Sequence, residues 1–581
     1  INIITKRPGT EMEGYVRAEY DFDLNGAKVE TAATLPLSEN FSVRVAGKYS
    51  DYDGWVYNTL ASRDEPQREE TVGRITARYV TDMVDATLKY EHTDLNVKGN
   101  VFQIVSAIAN RPLNLVKETG SPFFGPEFDD VETDNVAANV DIKLGDFTLS
   151  SITGYSNYNS DQREDADFIE KDLAYAVFQE DFEQTSQELR LLSPTDGDFD
   201  FVLGGYWHNS KLHERRATGI VATPAASSFR PFDQKSTVHS VYGQFTATLS
   251  EQFDVLGSLR YTEEQKVGDF ALYSGPLAVS QQVGTLARTI HNEFKENHTD
   301  PSISLQYKPT DDVMLYGSYS HGSKAGGFQG AISNALANSF KFDPETSESF
   351  ELGAKASFDG RATLNVAAFE TTYKNLQLSV AINTTSTTSF AFYTGNAGAA
   401  KARGIEADGQ VRLSDEFKLE GSFAWTPTAK YTSYPAGPCA TGQAPTNAAA
   451  LSCNLTGVRL GFIPKIAGTT TLHYTAPFTA GTKLDIGTTA AFRSSARMDP
   501  ANDPMSYQSG FVKLDARIAV VDEKDVWEVA LLGRNLTDIR NFTFSGAASL
   551  AANPAVGLAT DARQRAVDPP RTIAIQAQVK F

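Results

Sequence analysis

The sequence predicts an all-β protein, a transmembrane antiparallel β-barrel of about 22 strands. Three observations lead there. Apolar and polar residues alternate with period two over runs of about ten residues, the length a tilted strand needs to cross a bilayer. The connections between these runs alternate between short and long. No apolar run approaches the roughly 20 residues of a spanning helix, and the mean hydropathy is −0.31. Averaged hydropathy is blind to a barrel, because half of every strand is polar.

The final stretch, RTIAIQAQVKF (571–581), carries the pattern to the last residue. Ile573, Ile575, Ala577, Val579 and Phe581 form one oily face, and Thr572, Gln576, Gln578 and Lys580 lie on the other. The same alternation runs through Val84, Ala86, Leu88 and Tyr90, through Ile303, Leu305 and Tyr307, and through Phe350, Leu352 and Ala354. It returns in Val512, Leu514, Ala516, Ile518 and Val520. Composition agrees: 43 Gly, 23 Tyr and 35 Phe against 5 Met and 2 Cys favour strands and tight turns.

Short turns are expected at Pro36–Asn40, Thr81–Met83, Leu144–Asp146, Ser193–Asp198, Ser250–Gln252 and Pro309–Asp312. They continue at Asp359–Gly360, Ser414–Glu416, Pro477–Thr482 and Asp522–Asp525. Between them lie longer polar stretches at 95–132, 160–175, 213–234, 268–292, 322–345, 430–460 and 538–567. Strict alternation puts all tight turns on one side of a sheet that runs from near Gly14 to Phe581. Propellers and β-solenoids also contain many short strands, but no blade-length repeat is present.

Lys and Arg total 52 against 72 Asp and Glu, a net charge of −20, which argues against binding nucleic acid through phosphates. A chain of 581 residues suggests several soluble domains, yet no Pro/Ser-rich linker divides it. The first residue is Ile1 rather than Met, so a processed chain or a fragment is expected.

INIITKRPGTEMEGYV (1–16) resembles the junction between plug and barrel in TonB-dependent outer-membrane receptors. YGSYSHGSKAGGFQG (316–330), DPETSESFELGAKASFDGRATLNVAAFETTYKNLQL (343–378), KARGIEADGQ (401–410) and GRNLTDIRNF (533–542) resemble that family in the same order, as does the terminal strand. The resemblance implies short periplasmic turns, long extracellular loops and a location in the outer membrane of a Gram-negative bacterium. It implies that residues 1–12 are the remnant of the last plug strand and its linker, and that 13–581 are the barrel, with most of the plug missing. It further implies import of a scarce, bulky nutrient, ferric siderophores being commonest, with a ligand that carries iron or cobalt and no resident cofactor. The partners it implies are TonB–ExbB–ExbD through the missing plug, lipid and lipopolysaccharide, and the barrel-assembly machinery. Phe581 would be part of the signal that machinery reads. A passive porin fits the barrel but not residues 1–8, and a soluble β-rich adhesin would lack aromatic girdles.

Site residues are few. Cys439 and Cys453 share one long polar stretch, where an exported protein would join them in a disulfide; two free thiols are the alternative. In GSKAGGFQG (322–330), Lys324 and Phe328 are expected at the extracellular mouth, where a cation and an aromatic suit an anionic or aromatic ligand. A turn that merely starts a loop explains the segment equally well. DQREDADFIEKD (161–172) offers Asp161, Asp165 and Asp167 to Ca²⁺ but lacks EF-hand spacing, so a solvated external loop is expected. His92, His208, His213, His239, His291, His298, His321 and His473 are scattered, and the nearest approach to a cluster is His291, Glu293 and His298. Without helical placement of its histidines, no metal site is expected. No G-x-S-x-G elbow is present and Ser320–His321 lack a third member, so no catalysis is expected.

Overall fold

A computed structural model describes residues 4–107, 113–119, 125–171, 173–221, 224, 227–275, 285–330, 340–383, 390–440, 443–447, 452–548, 559 and 561–581. One sheet of 22 strands dominates it, each strand antiparallel to its neighbours. The first, Glu13–Asp21, pairs with both the second, Gly26–Pro36, and the last, Thr572–Lys580, so the sheet closes. Among the described residues no helix is long and apolar enough to cross a membrane.

All ten expected turns fall between consecutive strands, from 37–40 to 523–526. Their chemistry is local. Asp359 and Gly360 both adopt positive φ (49° and 64°), which lets the chain reverse between Glu345–Phe358 and Ala362–Lys374. On the opposite side the alternation in length is not strict. The connection 22–25 is as short as a periplasmic turn.

The expected loops 213–234 and 268–292 are mostly strand. Phe199–Ile220 and Ser228–Ser250 leave only 221–227 between them, and Phe253–Ser274 and Thr285–Thr310 leave 275–284. The reason lies in the solvent. Above the bilayer both faces of a strand meet water, so outward positions become His213 with Asp233 and His291 with Asp269. The alternation that marks a strand disappears there while its backbone ladder continues. Thr285–Thr310, 26 residues long, therefore stands far taller than the nine-residue first and last strands.

The outer face is oily in a band of defined height. Phe147 and Tyr155, Phe199 and Trp207, Phe253 and Tyr261, and Phe417 and Trp425 are exposed ring pairs on four strands. Within each pair the rings are eight positions apart. At about 3.3 Å per residue and a tilt near 40°, that spacing is about 20 Å, close to the apolar height of an outer-membrane barrel. Leu189, Leu203, Val241, Leu259, Ile303, Leu305, Leu352 and Ile575 occupy the exposed positions between the girdles. The inner face is polar, as in a shallow recess of about 390 Å³ lined by Thr363, Asp408, Gln410, Glu420, Thr469 and Thr471.

Ile575 is exposed on the lipid face, whereas Gln576 donates to Glu19 at 2.8 Å on the inner face. Ile575→Arg should therefore cost about 2–4 kcal/mol in urea unfolding from lipid vesicles, while Gln576→Arg, beside the Glu19 carboxylate, should leave stability nearly unchanged. Equal effects would place both side chains in the same medium.

Candidate functional site

The long connections fold over the extracellular mouth and tie to one another. Phe102–Val105, Phe542–Ala547 and Arg563–Val567 form a three-stranded sheet that joins a loop from early in the chain to the loop before the last strand. Val56–Asn58, Arg63–Glu65 and Val116–Lys117 form another, and the Trp55 indole donates to the Val567 carbonyl at 3.3 Å, bridging the two. Lys117, its side chain 1 % exposed, lies 2.6 Å from Glu65 and 3.2 Å from Glu127. Asn58 donates to Glu65 at 3.1 Å and Asn100 to Glu127 at 2.7 Å, so the buried carboxylates are well supplied with donors. Across the mouth, buried Arg563 pairs with Asp503.

The sequence-nominated residues fall in different surroundings. Phe328 is enclosed, stacking on Phe340 with centroids 4.9 Å apart and meeting Phe294 edge-on at 5.1 Å. Phe232, Phe270 and Leu272 complete this cluster on the inner wall. Gly268 is required there, since a Cβ would sit 2.6 Å from the Phe328 ring. Lys266 donates to the Gly326 carbonyl at 2.6 Å, so the Gly-rich segment is pinned against the wall. Lys324 is exposed at the end of Val313–Lys324, opposite Glu345, whereas Phe328 is buried.

Cys439 and Cys453 are bonded, with Cα atoms 5.0 Å apart, beside a cluster of Tyr431, Tyr434 and Leu455. Phe581 exchanges both backbone hydrogen bonds with Gly14, at 2.7 and 3.0 Å, and its ring lies where a Cβ on Gly14 would be.

One expectation needs correction. The segment 161–172 is not a solvated loop: residues 161–165 continue Phe147–Asp165, and Asp165 and Asp167 are buried. Asp167 accepts from the backbone N–H groups of Ile169, Leu173 and Ala174, so it organises a tight connection. His291 and His298 lie on opposite faces of Thr285–Thr310 and pair with separate carboxylates, Asp269 and Glu296. Register instead gathers His92, Glu132 and Asp134, with His92 Nδ1 2.9 Å from Asp134. These three lie on the solvent-facing outer wall near Tyr90, whose hydroxyl donates to Asp134 at 2.6 Å. Sequence reading misses the trio because only strand pairing joins residues so far apart in the chain.

Barrel closure, strand number and a loop-covered mouth can be compared with known proteins. Residues 89–536 match the family described as TonB dependent receptor-like, beta-barrel. The chain belongs to the TonB-dependent receptor family. It is 26 % identical over 248 residues to the probable TonB-dependent siderophore receptor PiuA of Acinetobacter baumannii, a match spanning 41 % of this chain and 30 % of that protein. The ferric yersiniabactin uptake receptor FyuA of Yersinia pestis superposes with a TM-score of 0.82 at 17 % identity, covering 99 % of this chain and 81 % of FyuA. The crystal structure of PiuA superposes at 0.75 and 16 % identity, covering 99 % and 82 %.

As a TonB-dependent receptor barrel, the chain lies in the Gram-negative outer membrane, with the girdled band in lipid and the cap outside the cell. Beside the cap, on the strand extension, lies a carboxyl that titrates near neutrality. Burial, with Glu127 and Asp129 close by, pushes Glu164 up to about 7 from its ordinary 4.5. Glu164 lies nine positions beyond the girdle residue Tyr155, clear of the bilayer. The folded cap thus binds a proton that the unfolded loop releases, and cap stability is lost as pH rises from the ordinary value through about 7. Hydrogen exchange in 53–66, 99–107 and 113–119 should be slower at roughly pH 5.5 than at pH 8.5, and Glu164→Gln should shrink that difference. A pH response unchanged by Glu164→Gln would contradict the assignment.

Proposed function

We propose that this receptor binds a ferric siderophore at its extracellular mouth and imports it into the periplasm with energy coupled through TonB. The observation that carries the reading is family membership over most of the barrel. Of the relatives named above, PiuA is described as a siderophore receptor and FyuA as a ferric yersiniabactin uptake receptor. A barrel of 22 strands has a lumen wide enough for a bulky chelate, and buried aromatic clusters and ion pairs hold the shape of its mouth. In this reading TonB–ExbB–ExbD acts through a plug that precedes residue 13. Phe581, anchored to Gly14, is read by the barrel-assembly machinery when the strand is inserted. The transported iron is cargo rather than a resident cofactor.

Trp55, whose indole lies in the cap over the mouth, makes binding visible by fluorescence. Titration of the purified receptor in detergent with ferric siderophores, cobalamin and oligosaccharides should give saturable quenching with a ferric siderophore alone. Saturation by cobalamin or an oligosaccharide would reassign the substrate. No binding, with large steady ion conductance in a planar bilayer, would make the chain a passive channel.

A further inference from the structure

Two arginines face each other on the inner wall of the mouth. Arg216 and Arg230 are direct partners in the ladder between Phe199–Ile220 and Ser228–Ser250. Their parity is that of Tyr206 and Tyr242, opposite to the lipid-facing Leu203, Trp207 and Val241, so both side chains point into the lumen. Arg216 lies nine positions beyond Trp207, well above the bilayer. Like charges directly opposite in a ladder destabilise a sheet. Burial and the neighbouring Arg216 push the Arg230 guanidinium down to about 10, with Glu214 opposing the shift.

Internal partners do not satisfy this pair. Arg216 donates to one oxygen of Glu214 at 2.7 Å, and Arg230 donates to the Thr218 hydroxyl at 2.7 Å. The Nε atoms of both arginines are shielded from solvent and find no hydrogen-bond partner among the described residues. The second oxygen of Glu214 turns toward Gly330, where a Cβ would lie 2.1 Å away, and is itself buried without a hydrogen-bond partner among the described residues. Glu180 adds a further carboxyl nearby, itself pushed up by burial and by Glu214, with Arg216 opposing the shift. The Arg216 guanidinium lies over the Phe178 ring at 5.5 Å and keeps 30 % of its side chain exposed on the lumen side.

Glu214 offsets part of the charge of the pair but leaves the Nε atoms of both arginines without a partner. We propose that Arg216 and Arg230 form an anion subsite of the receptor's mouth, which selects negatively charged, oxygen-ligated iron chelates over neutral ones. An anionic oxygen between the two would accept from both guanidiniums and relieve their repulsion, in geometry that suits Arg better than Lys. Phe178 and Phe232 would supply apolar walls beside it. The inference rests on the siderophore reading above and names the charge class of the ligand.

The test compares Arg216→Gln and Arg230→Gln with the unmodified receptor in detergent. Fluorescence titrations would use ferric enterobactin (a trianionic tris-catecholate), ferric citrate and ferrichrome (a neutral tris-hydroxamate). The receptor should bind at least one anionic chelate, and each variant should weaken that binding by at least about tenfold. Arg230→Gln, which removes one of two opposed charges and keeps the Arg216–Glu214 pair, should leave the heat-induced mobility shift of the barrel unchanged or moved to higher temperature. A purely structural role would move it lower. Anionic binding unaffected in both variants overturns the subsite. Binding of ferrichrome alone also overturns it and leaves siderophore uptake standing. If no chelate binds, the siderophore reading fails and this inference fails with it.

Discussion

In hydrocarbon, a backbone N–H or C=O without a partner costs several kcal/mol, so a sheet can cross a bilayer only if it has no edge. That condition concentrates on the seam between Glu13–Asp21 and Thr572–Lys580, the two short strands that convert an open sheet into a barrel. The register there runs from Tyr15 opposite Lys580 to Asp21 opposite Ala574. Side chains reinforce it on the polar side. Arg17 donates to Gln578 at 2.8 Å, and Arg534 reaches both Glu19 at 2.5 Å and Asp21 at 3.4 Å. Gly14 and Phe581 finish the seam at the periplasmic end, where the absence of a Cβ leaves room for the terminal ring.

Once closure is met, period two divides the work. Alternate residues meet lipid or lumen, and the girdles at Phe199 and Trp207 mark where that division begins and ends. Above the upper girdle the strands from Phe147 to Thr310 continue as a tall polar wall. The connections fold inward against this wall, as the packing of Phe328 among Phe294, Phe340 and Phe232 illustrates. The mouth is therefore shaped from two sources, rigid strand extensions on one flank and cross-linked loops on the other. Arg216 and Arg230 belong to the rigid part, which suits a group that must hold its geometry before a ligand arrives.

Much of this was legible in the sequence wherever lipid imposes a pattern. The ten periplasmic turns could be read because each interrupts a run such as Val84 to Tyr90 that must alternate to cross the membrane. The strand extensions could not, because His213 and Asp233 meet water on the same face where Leu203 and Val241 meet lipid. Asp165 and Asp167 look like solvated acids in sequence, and only their backbone hydrogen bonds show them to be organisers of a turn. Phe328 stood out through its glycines, which do mark a close approach, although the ring is enclosed rather than presented. Glu65 with Lys117, His92 with Asp134, and Arg216 with Arg230 depend on register, which local sequence does not encode.

The seam is the claim on which the other assignments depend, and cross-linking tests it directly. Ala18 and Ala577 are ladder partners on its lipid side. Cα atoms of such a pair lie about 4.5–5.5 Å apart, within disulfide range. Receptor carrying Ala18→Cys and Ala577→Cys, inserted in the outer membrane and treated with copper phenanthroline, should form an intramolecular disulfide. That bond would change the mobility of the denatured chain under non-reducing conditions, while either single variant should not cross-link internally. Efficient bonding would join the ends of the sheet in the stated register. Failure to bond, with both thiols reactive to a lipid-soluble maleimide, would contradict closure through these strands.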